Sequence, residues 1–381
     1  MLDPPPVALV TFADPGAPGG VPRTIGLLHA GLSALGHSVS VLARPLTTHI
    51  RESLMRRVWR RVDRSSEEVH RIRRSLGALA DDVGSTRPDT VCIALEAWTA
   101  AVCLDLGRRT ICRVAGLGSI TDEWVRNGFI EAGSRHVPWL RDRERFALAG
   151  AERVVVLWRA GGESVADLGA SPRRTSVIAN GISLGPVPER QHDPECVRVL
   201  SVSNLRHAKG MDLLAQAVVE LDLGVRQRVR LVHVGEGNAT GNASFEAARD
   251  MLRAAGVDYA FRGAVSRPSV AAEFARANLF VLPSRRESFG NALLEAMGAG
   301  LPAIGTDVGA VPEILGESAA AEGLVVPPGD VAALGRALTH LIGDPKLCRR
   351  LGLANRARIE TEYTLERMIA RYSALVHEVA R

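Results

Sequence analysis

Residues 279–305 read "LFVLPSRRESFGNALLEAMGAGLPAIG", and the order of residue types in them decides the fold. "LFVLP" is an unbroken apolar run, the pattern of a strand covered on both faces. A polar turn over 284–290 follows, in which Gly290 is free to take a positive φ. Asn291 stands where an N-cap belongs, and the short helix after it carries Leu293, Leu294 and Met297 on one face. Gly298 or Gly300, followed by Pro302, closes that helix, and "PAIG" at 302–305 begins another strand. Strand, helix and strand in so short a span form the repeating unit of a parallel α/β sheet.

The unit recurs along the chain. "VALVTFA" at 7–13 is a first strand, and "RTIGLLHAGLSAL" at 23–35 follows with helical spacing and Gly36 at its end. "SVSVLA" at 38–43, "TVCIAL" at 90–95, "TICRV" at 110–114 and "RVVVL" at 153–157 are further strands. The pattern restarts after the polar, proline-bearing segment "GPVPERQHDPE" at 185–195. "VRVLSVS" at 197–203, "VRLVHVG" at 229–235, "LFVLP" at 279–283, "PAIG" at 302–305 and "GLVVPP" at 323–328 belong to the second series. The expected fold class is α/β, two Rossmann-like parallel-sheet domains facing a cleft, because ligands of open α/β sheets bind at the carboxyl ends of the strands. The expected limits are 1–184 and 185–361, with a last amphipathic helical stretch, 362–381.

The 381 residues suit about two domains of roughly 150 residues each. No run reaches the ~20 apolar residues of a spanning helix. "MLDPPPVALVTFADPG" lacks a basic start before a long apolar core, so no secretory signal is expected. Cys92, Cys103, Cys112, Cys196 and Cys348 form no C-x-x-C pair and no metal spacing. They read as reduced thiols of a cytoplasmic protein. Lys209 and Lys346 are the only lysines beside many arginines, the bias of a GC-rich genome.

Glu287 and Glu295 stand eight positions apart, one in the turn and one in the helix. At ~100° per residue Glu295 shares a small, polar face with Asn291, Gly298 and Ala299. That face would let a ligand come close, and the free N–H groups of the helix start suit an anion such as phosphate. Spacing alone fits a solvated surface pair equally well.

The longer run "SRRESFGNALLEAMGAGLPAIGTDVGAVPEIL" closely resembles the signature of retaining glycosyltransferases of family 4, which have the GT-B fold. Their E-x7-E frame is Glu287 to Glu295 here, followed by the Gly-Leu-Pro strand and the turn with Gly309, Pro312, Glu313 and Ile314. "SNLRHAKGMDLLAQA" at 203–217 resembles the segment that grips the donor's diphosphate. Lys209 matches the family lysine, Asn204 stands where the family has arginine, and Arg206 is expected to take that part. Two fixed cations would stabilise the charge growing on a departing nucleoside diphosphate. "APGGVPRT" at 17–24 resembles the N-terminal glycine loop, in which Gly19 and Gly20 let backbone approach the diphosphate and sugar. "SVIANGIS" at 176–183 resembles a structural Asn-Gly element, and "FRGAV" at 261–265 a segment whose backbone near Val265 meets the base. Ala115 stands where the family places a histidine near the transferred sugar.

The resemblance implies a retaining transferase of a nucleotide-activated sugar, UDP-linked by the family's commonest usage, to a hydroxyl acceptor. The acceptor class stays open among a polysaccharide, a lipid carrier and a secondary metabolite. No metal and no cofactor beyond the nucleotide-sugar co-substrate are implied. Glu287 would hold donor-sugar hydroxyls, Glu295 the ribose hydroxyls, and Ser288, Phe289, Gly290 and Asn291 the sugar or phosphate oxygens. The final helix would cross back to the first domain. Two other classes stay open: a nucleotide-sugar epimerase on the same fold, and a non-catalytic sugar-nucleotide-binding protein. An oxidoreductase is disfavoured, because no clean dinucleotide fingerprint follows the first strand; "VGEGNATG" at 234–241 is one residue too long for one and reads as a strand-end loop.

The run "LMRRVWRRVDR" at 54–64 places arginines opposite an apolar face. It reads as a membrane-surface helix, as a contact for an anionic acceptor, or as a solvated helix packed by Trp59. Nucleic acid is not expected as a partner, because Trp59 is the one aromatic in the run and no repeated aromatic interleaving accompanies the arginines.

Overall fold

A computed structural model describes residues 3–17, 19–46, 64–189, 195–235 and 243–381 of the chain. It divides into two compact units. Met1–Asn180 together with Leu365–Arg381 forms the first, and Gly181–Thr364 the second.

The first unit holds a six-stranded parallel sheet. Its strands are β1 (Val7–Thr11), β2 (Val39–Ala43), β3 (Val91–Ala94), β4 (Thr110–Val114), β5 (Arg153–Val156) and β6 (Thr175–Val177), in the order β2-β1-β3-β4-β5-β6. Every residue of β1 is buried, as a strand with helices on both faces requires. Alternate side chains go to opposite faces. Val7 and Leu9 pack with Ile25, Leu28 and Leu32 of the helix Gly20–Ala34 and with the helix Leu365–Val379. Ala8 and Val10 pack with Val69, Ile72, Leu79 and Trp98 on the other face.

The helix Leu365–Val379 buries Met368, Ile369, Tyr372, Leu375, Val376 and Val379. At ~2 kcal/mol for each such side chain, this contributes on the order of 10 kcal/mol. The run 362–380 is not one helix. Pro345–Glu362 ends at Tyr363, whose backbone leaves the helical region at φ −126°, and the last helix starts at Leu365. Between them Ile182 and Thr364 form an isolated parallel bridge.

The second unit repeats the plan with β7 (Val197–Val202), β8 (Val229–Val234), β9 (Asp258–Phe261), β10 (Leu279–Leu282), β11 (Ala303–Thr306) and β12 (Val325–Val326), in the order β12-β11-β10-β7-β8-β9. All described pairs are parallel, with Val199 opposite both Leu231 and Leu279. The long apolar runs read from the sequence are strands, although "GLVVPP" contributes only two residues. The sequence reading missed β6 and β9. Both are short edge strands whose residues are half-buried or exposed, so they carry no continuous apolar run.

Among the described residues no helix is long and apolar enough to cross a membrane.

Candidate functional site

The carboxyl end of β10 opens into the loop that carries Glu287. Two backbones press on this loop. Gly210 has φ 68°, and a Cβ there would lie 2.0 Å from the Pro283 carbonyl oxygen. Gly309 has φ 54°, and its Cβ would lie 2.0 Å from the Glu287 carbonyl oxygen. Only glycine fits either place, for reasons of both φ and space.

Hydrogen bonds complete the clamp. The Arg285 and Arg286 N–H groups both donate to the Ala208 carbonyl, at 2.8 and 3.1 Å, and the Ala310 N–H donates to the Ser288 carbonyl at 3.1 Å. The Arg285 guanidinium forks onto Asp212, at 2.7 and 2.6 Å, and reaches the His207 carbonyl at 3.0 Å. Burial would raise the Asp212 pKa, but the Arg285 guanidinium outweighs it and holds the carboxyl below its usual range. The pair therefore staples the loop after β7 to the loop after β10.

That staple brings Lys209 to Glu287. Lys209 Nζ donates to Glu287 Oε2 at 2.7 Å, with both side chains largely buried. The ammonium keeps two further N–H donors, and Glu287 Oε1 remains an acceptor. One side of this pair can bind an anion and the other a hydroxyl.

Gly290, at φ 91°, is the N-cap of the helix Asn291–Gly298, and Asn291 is its first helical residue. This corrects the expected N-cap at Asn291: the turn needs a left-handed residue at that point, which glycine supplies without strain. The helix closes at Gly300, whose N–H bonds Met297 O at 2.9 Å while the Leu301 N–H bonds Ala296 O at 3.0 Å, a Schellman end.

Glu295 is half-buried one turn into the helix. The expectation of a small, open face beside it holds only in part. Gly298 is buried, and the space its missing Cβ leaves is filled by Ile182 and Leu184 rather than being open to a ligand. Ser288 is half-buried and Phe289 is 3% exposed, so Phe289 can offer a ligand only its backbone.

Arg206 and Asn204 are exposed on the loop after β7, Arg206 just before the 3-10 turn His207–Lys209. Val265 is half-buried one residue before Ser266, the N-cap of the helix Arg267–Arg276. Gly19 and Gly20 belong to the first unit, where Gly19 is the N-cap of Gly20–Ala34. Ala115 follows β4, close to Ser119. Ser119 Oγ donates to the buried Glu144 Oε2 at 2.7 Å, and the Ile120 N–H reaches Glu144 Oε1 at 2.6 Å. Burial pushes the Glu144 carboxyl up, against these hydrogen bonds. Residues 54–63 of the basic run and 236–241 of the glycine run lie outside the described residues.

Sequence reasoning missed the Asp212–Arg285 staple, the clamping role of Gly210, and two buried titratable groups, His233 and Glu96. For the last two the available signal was a polar residue interrupting an apolar strand or strand end.

Two six-stranded parallel sheets, the second carrying the Lys209–Glu287 pair in the loops at its strand ends, define an α/β protein built from two like units. The family description "Glycosyltransferase Family 4" matches residues 18–185, and "Glycosyl transferases group 1" matches 196–344. The chain belongs to glycosyltransferase family 4, of the GT-B fold.

A D-inositol 3-phosphate glycosyltransferase of Streptomyces bingchenggensis is 29% identical over 205 residues, 50% of this chain and 45% of its own. The lipopolysaccharide core biosynthesis mannosyltransferase LpcC of Rhizobium leguminosarum bv. viciae is 33% identical over 183 residues, 46% of this chain and 49% of its own. The chain thus spans about half the length of these curated relatives. Among solved structures, sucrose-phosphate synthase of Thermosynechococcus elongatus has a TM-score of 0.77 at 19% identity, covering 98% of this chain and 99% of that one. Anabaena HepE in complex with UDP-glucose has a TM-score of 0.72 at 15% identity, covering 98% and 99%. These two likenesses concern the fold.

Proposed function

We propose that the chain is a retaining glycosyltransferase that moves a sugar from a nucleoside diphosphate sugar, UDP-linked, to a hydroxyl acceptor. The observation that carries this reading is the Lys209–Glu287 pair at 2.7 Å, held by the clamp at the head of β10. The family membership and the UDP-glucose complex of Anabaena HepE support the choice of donor.

In this reading Lys209 and Arg206 meet the diphosphate. Its negative charge grows as the bond from the sugar's anomeric carbon to phosphate oxygen breaks, and fixed cations lower that barrier. Glu287 accepts from donor-sugar hydroxyls and Glu295 from the ribose hydroxyls, which orients the anomeric carbon as well as binding it. The backbone of Phe289 and Gly290, with Ser288 and Asn291 beside it, meets sugar or phosphate oxygens. Asn204 lies along the diphosphate, and backbone near Val265 meets the base. Gly19 and Gly20 belong to the first unit, the part of the chain that takes the acceptor in this reading.

The acceptor oxygen attacks from the face that the phosphate leaves. The departing phosphate oxygen takes the acceptor's proton, so configuration is retained and no protein base is needed. The chemistry as proposed requires no metal. The five unpaired thiols fit a cytoplasmic place of action.

The test is a thermal-shift screen of nucleotide sugars on wild type and Glu295→Ala. One donor should stabilise the wild type and lose most of that effect in the variant. Equal stabilisation of both proteins would refute the ribose role, and no stabilisation by any donor would refute the reading as a whole.

A further inference from the structure

The helix Pro345–Glu362 places Lys346, Arg349, Leu353 and Arg356 on one face, within about 80° of one another at ~100° per residue. That face borders a cavity of about 430 Å³ in the second unit. Small-molecule sites are of this size, roughly 300–1,000 Å³. Val197 opens β7, Leu279 opens β10 and Pro302 precedes β11, and all three line the cavity. It therefore lies at the amino ends of these parallel strands. The Glu287 loop leaves the carboxyl end of β10, so the cavity is no part of the site described above.

The lining divides by chemistry. Leu341 and Ile342 close the floor beside the strand starts. Val187 and Leu353 stand at the rim, 44% and 64% exposed, and offer apolar surface to water. Lys346 and Arg349 are exposed, and neither forms an ion pair or a side-chain hydrogen bond among the described residues. Asn278 Oδ1 accepts from the Arg198 N–H at 2.7 Å, which leaves the Asn278 NH2 group as a donor. Arg356 is committed elsewhere: Nε donates to Glu360 at 2.6 Å and Nη1 to the Gly185 carbonyl at 2.9 Å. The Cys348 thiol donates to the Leu341 carbonyl at 3.1 Å, and burial raises its pKa to about 11, so it stays neutral. No carboxylate lines the cavity among the described residues. Asp344, whose charge reaches Cys348, is engaged in capping the helix through the Leu347 N–H at 2.9 Å.

We propose that this cavity binds a single-chain anionic amphiphile, a fatty carboxylate in type, with its alkyl chain along the apolar lining and its head on Lys346 and Arg349. The proposal stands apart from the donor reading, which concerns the other end of the sheet. An apolar hollow with two unpaired cations on one edge complements a ligand with an apolar tail and one negative end. A second copy of the protein fits worse. A two-fold contact would set the patch against itself and bring Lys346 and Arg349 towards their own kind.

The test is calorimetric titration of the full chain with sodium decanoate, kept below its micelle concentration, at about pH 7.5, where the carboxylate is ionised. Octanoate, two methylenes shorter, should bind roughly tenfold more weakly. Decyltrimethylammonium has the same alkyl chain and the opposite charge, and it should bind at least about tenfold more weakly than decanoate. In the double variant Lys346→Glu/Arg349→Glu this charge preference should reverse, while the dependence on chain length persists. Both side chains are exposed, and an acid at 346 suits the helix start, so the variant should keep its fold. Leu353→Asp, at an exposed position, should weaken decanoate roughly tenfold and leave melting unchanged. No binding of decanoate, an anion preference unchanged in the double variant, or an affinity unchanged in Leu353→Asp overturns the proposal. A dimer seen by light scattering in the wild type and lost in Leu353→Asp would give the face to a second copy and overturn it as well.

Discussion

In a Gly309→Ala variant the new Cβ would stand 2.0 Å from the Glu287 carbonyl oxygen and 2.7 Å from that of Ser288. Both atoms are backbone, so no side chain can swing away. A Cβ needs at least about 3 Å, and the two chain segments must part by roughly 1 Å. Alanine at φ 54° also costs about 1–2 kcal/mol on conformational grounds alone. Gly323→Ala separates the two effects: Gly323 has φ 70°, and a Cβ there meets nothing within 4 Å.

Gly323→Ala should therefore lose about 1–2 kcal/mol in urea unfolding and leave nucleotide-sugar turnover unchanged. Gly309→Ala should lose more stability than that. Displacing Glu287 by roughly 1 Å should also lower kcat/KM on the order of 100-fold with the donor found by thermal shift. If both variants lose the same stability, and Gly309→Ala keeps turnover within about twofold, the clamp on Glu287 is not what positions it.

His233 is 1% exposed, and the Ser203 backbone is the hydrogen-bonding group that faces its ring. Burial pushes its pKa down to about 4. The unfolded chain takes up the proton first, so stability present above about pH 6.5 should fall by about 3 kcal/mol as pH drops towards 4. Denaturant midpoints at about pH 7 and pH 5 should show this slope in wild type and a flatter one in His233→Leu; equal slopes would refute it. Arg285→Met leaves Asp212 half-buried without its guanidinium. It should cost about 1–3 kcal/mol, with part of the loss recovered in the Arg285→Met/Asp212→Asn double variant. Strictly additive losses in the four-way unfolding comparison would mean that the staple contributes nothing.

The strands at the centre of each sheet were legible because burial on both faces leaves an unbroken apolar run, as in "LFVLP" and "VALVT". The edge strands β6 and β9 were not, since half-exposed positions accept almost any residue. The frame of Glu287 and Glu295 was legible because one short helix separates them, and helical geometry depends only on local spacing.

What the sequence determined by itself was therefore local: two series of parallel α/β units, and a turn and helix carrying two acids in register. What only the tertiary structure decided was which distant atoms meet. Lys209 finds Glu287 across 78 positions because Gly210 and Gly309 let three stretches of backbone close on one loop. Gly298, read as room for a ligand, is filled by Ile182 and Leu184. Thr11 finds Glu96 because β1 and β3, far apart in the chain, are neighbours in the sheet. Periodicity is carried along the chain, but hydrogen bonds and close backbone contacts act across it, and their partners are set only once the sheets have formed.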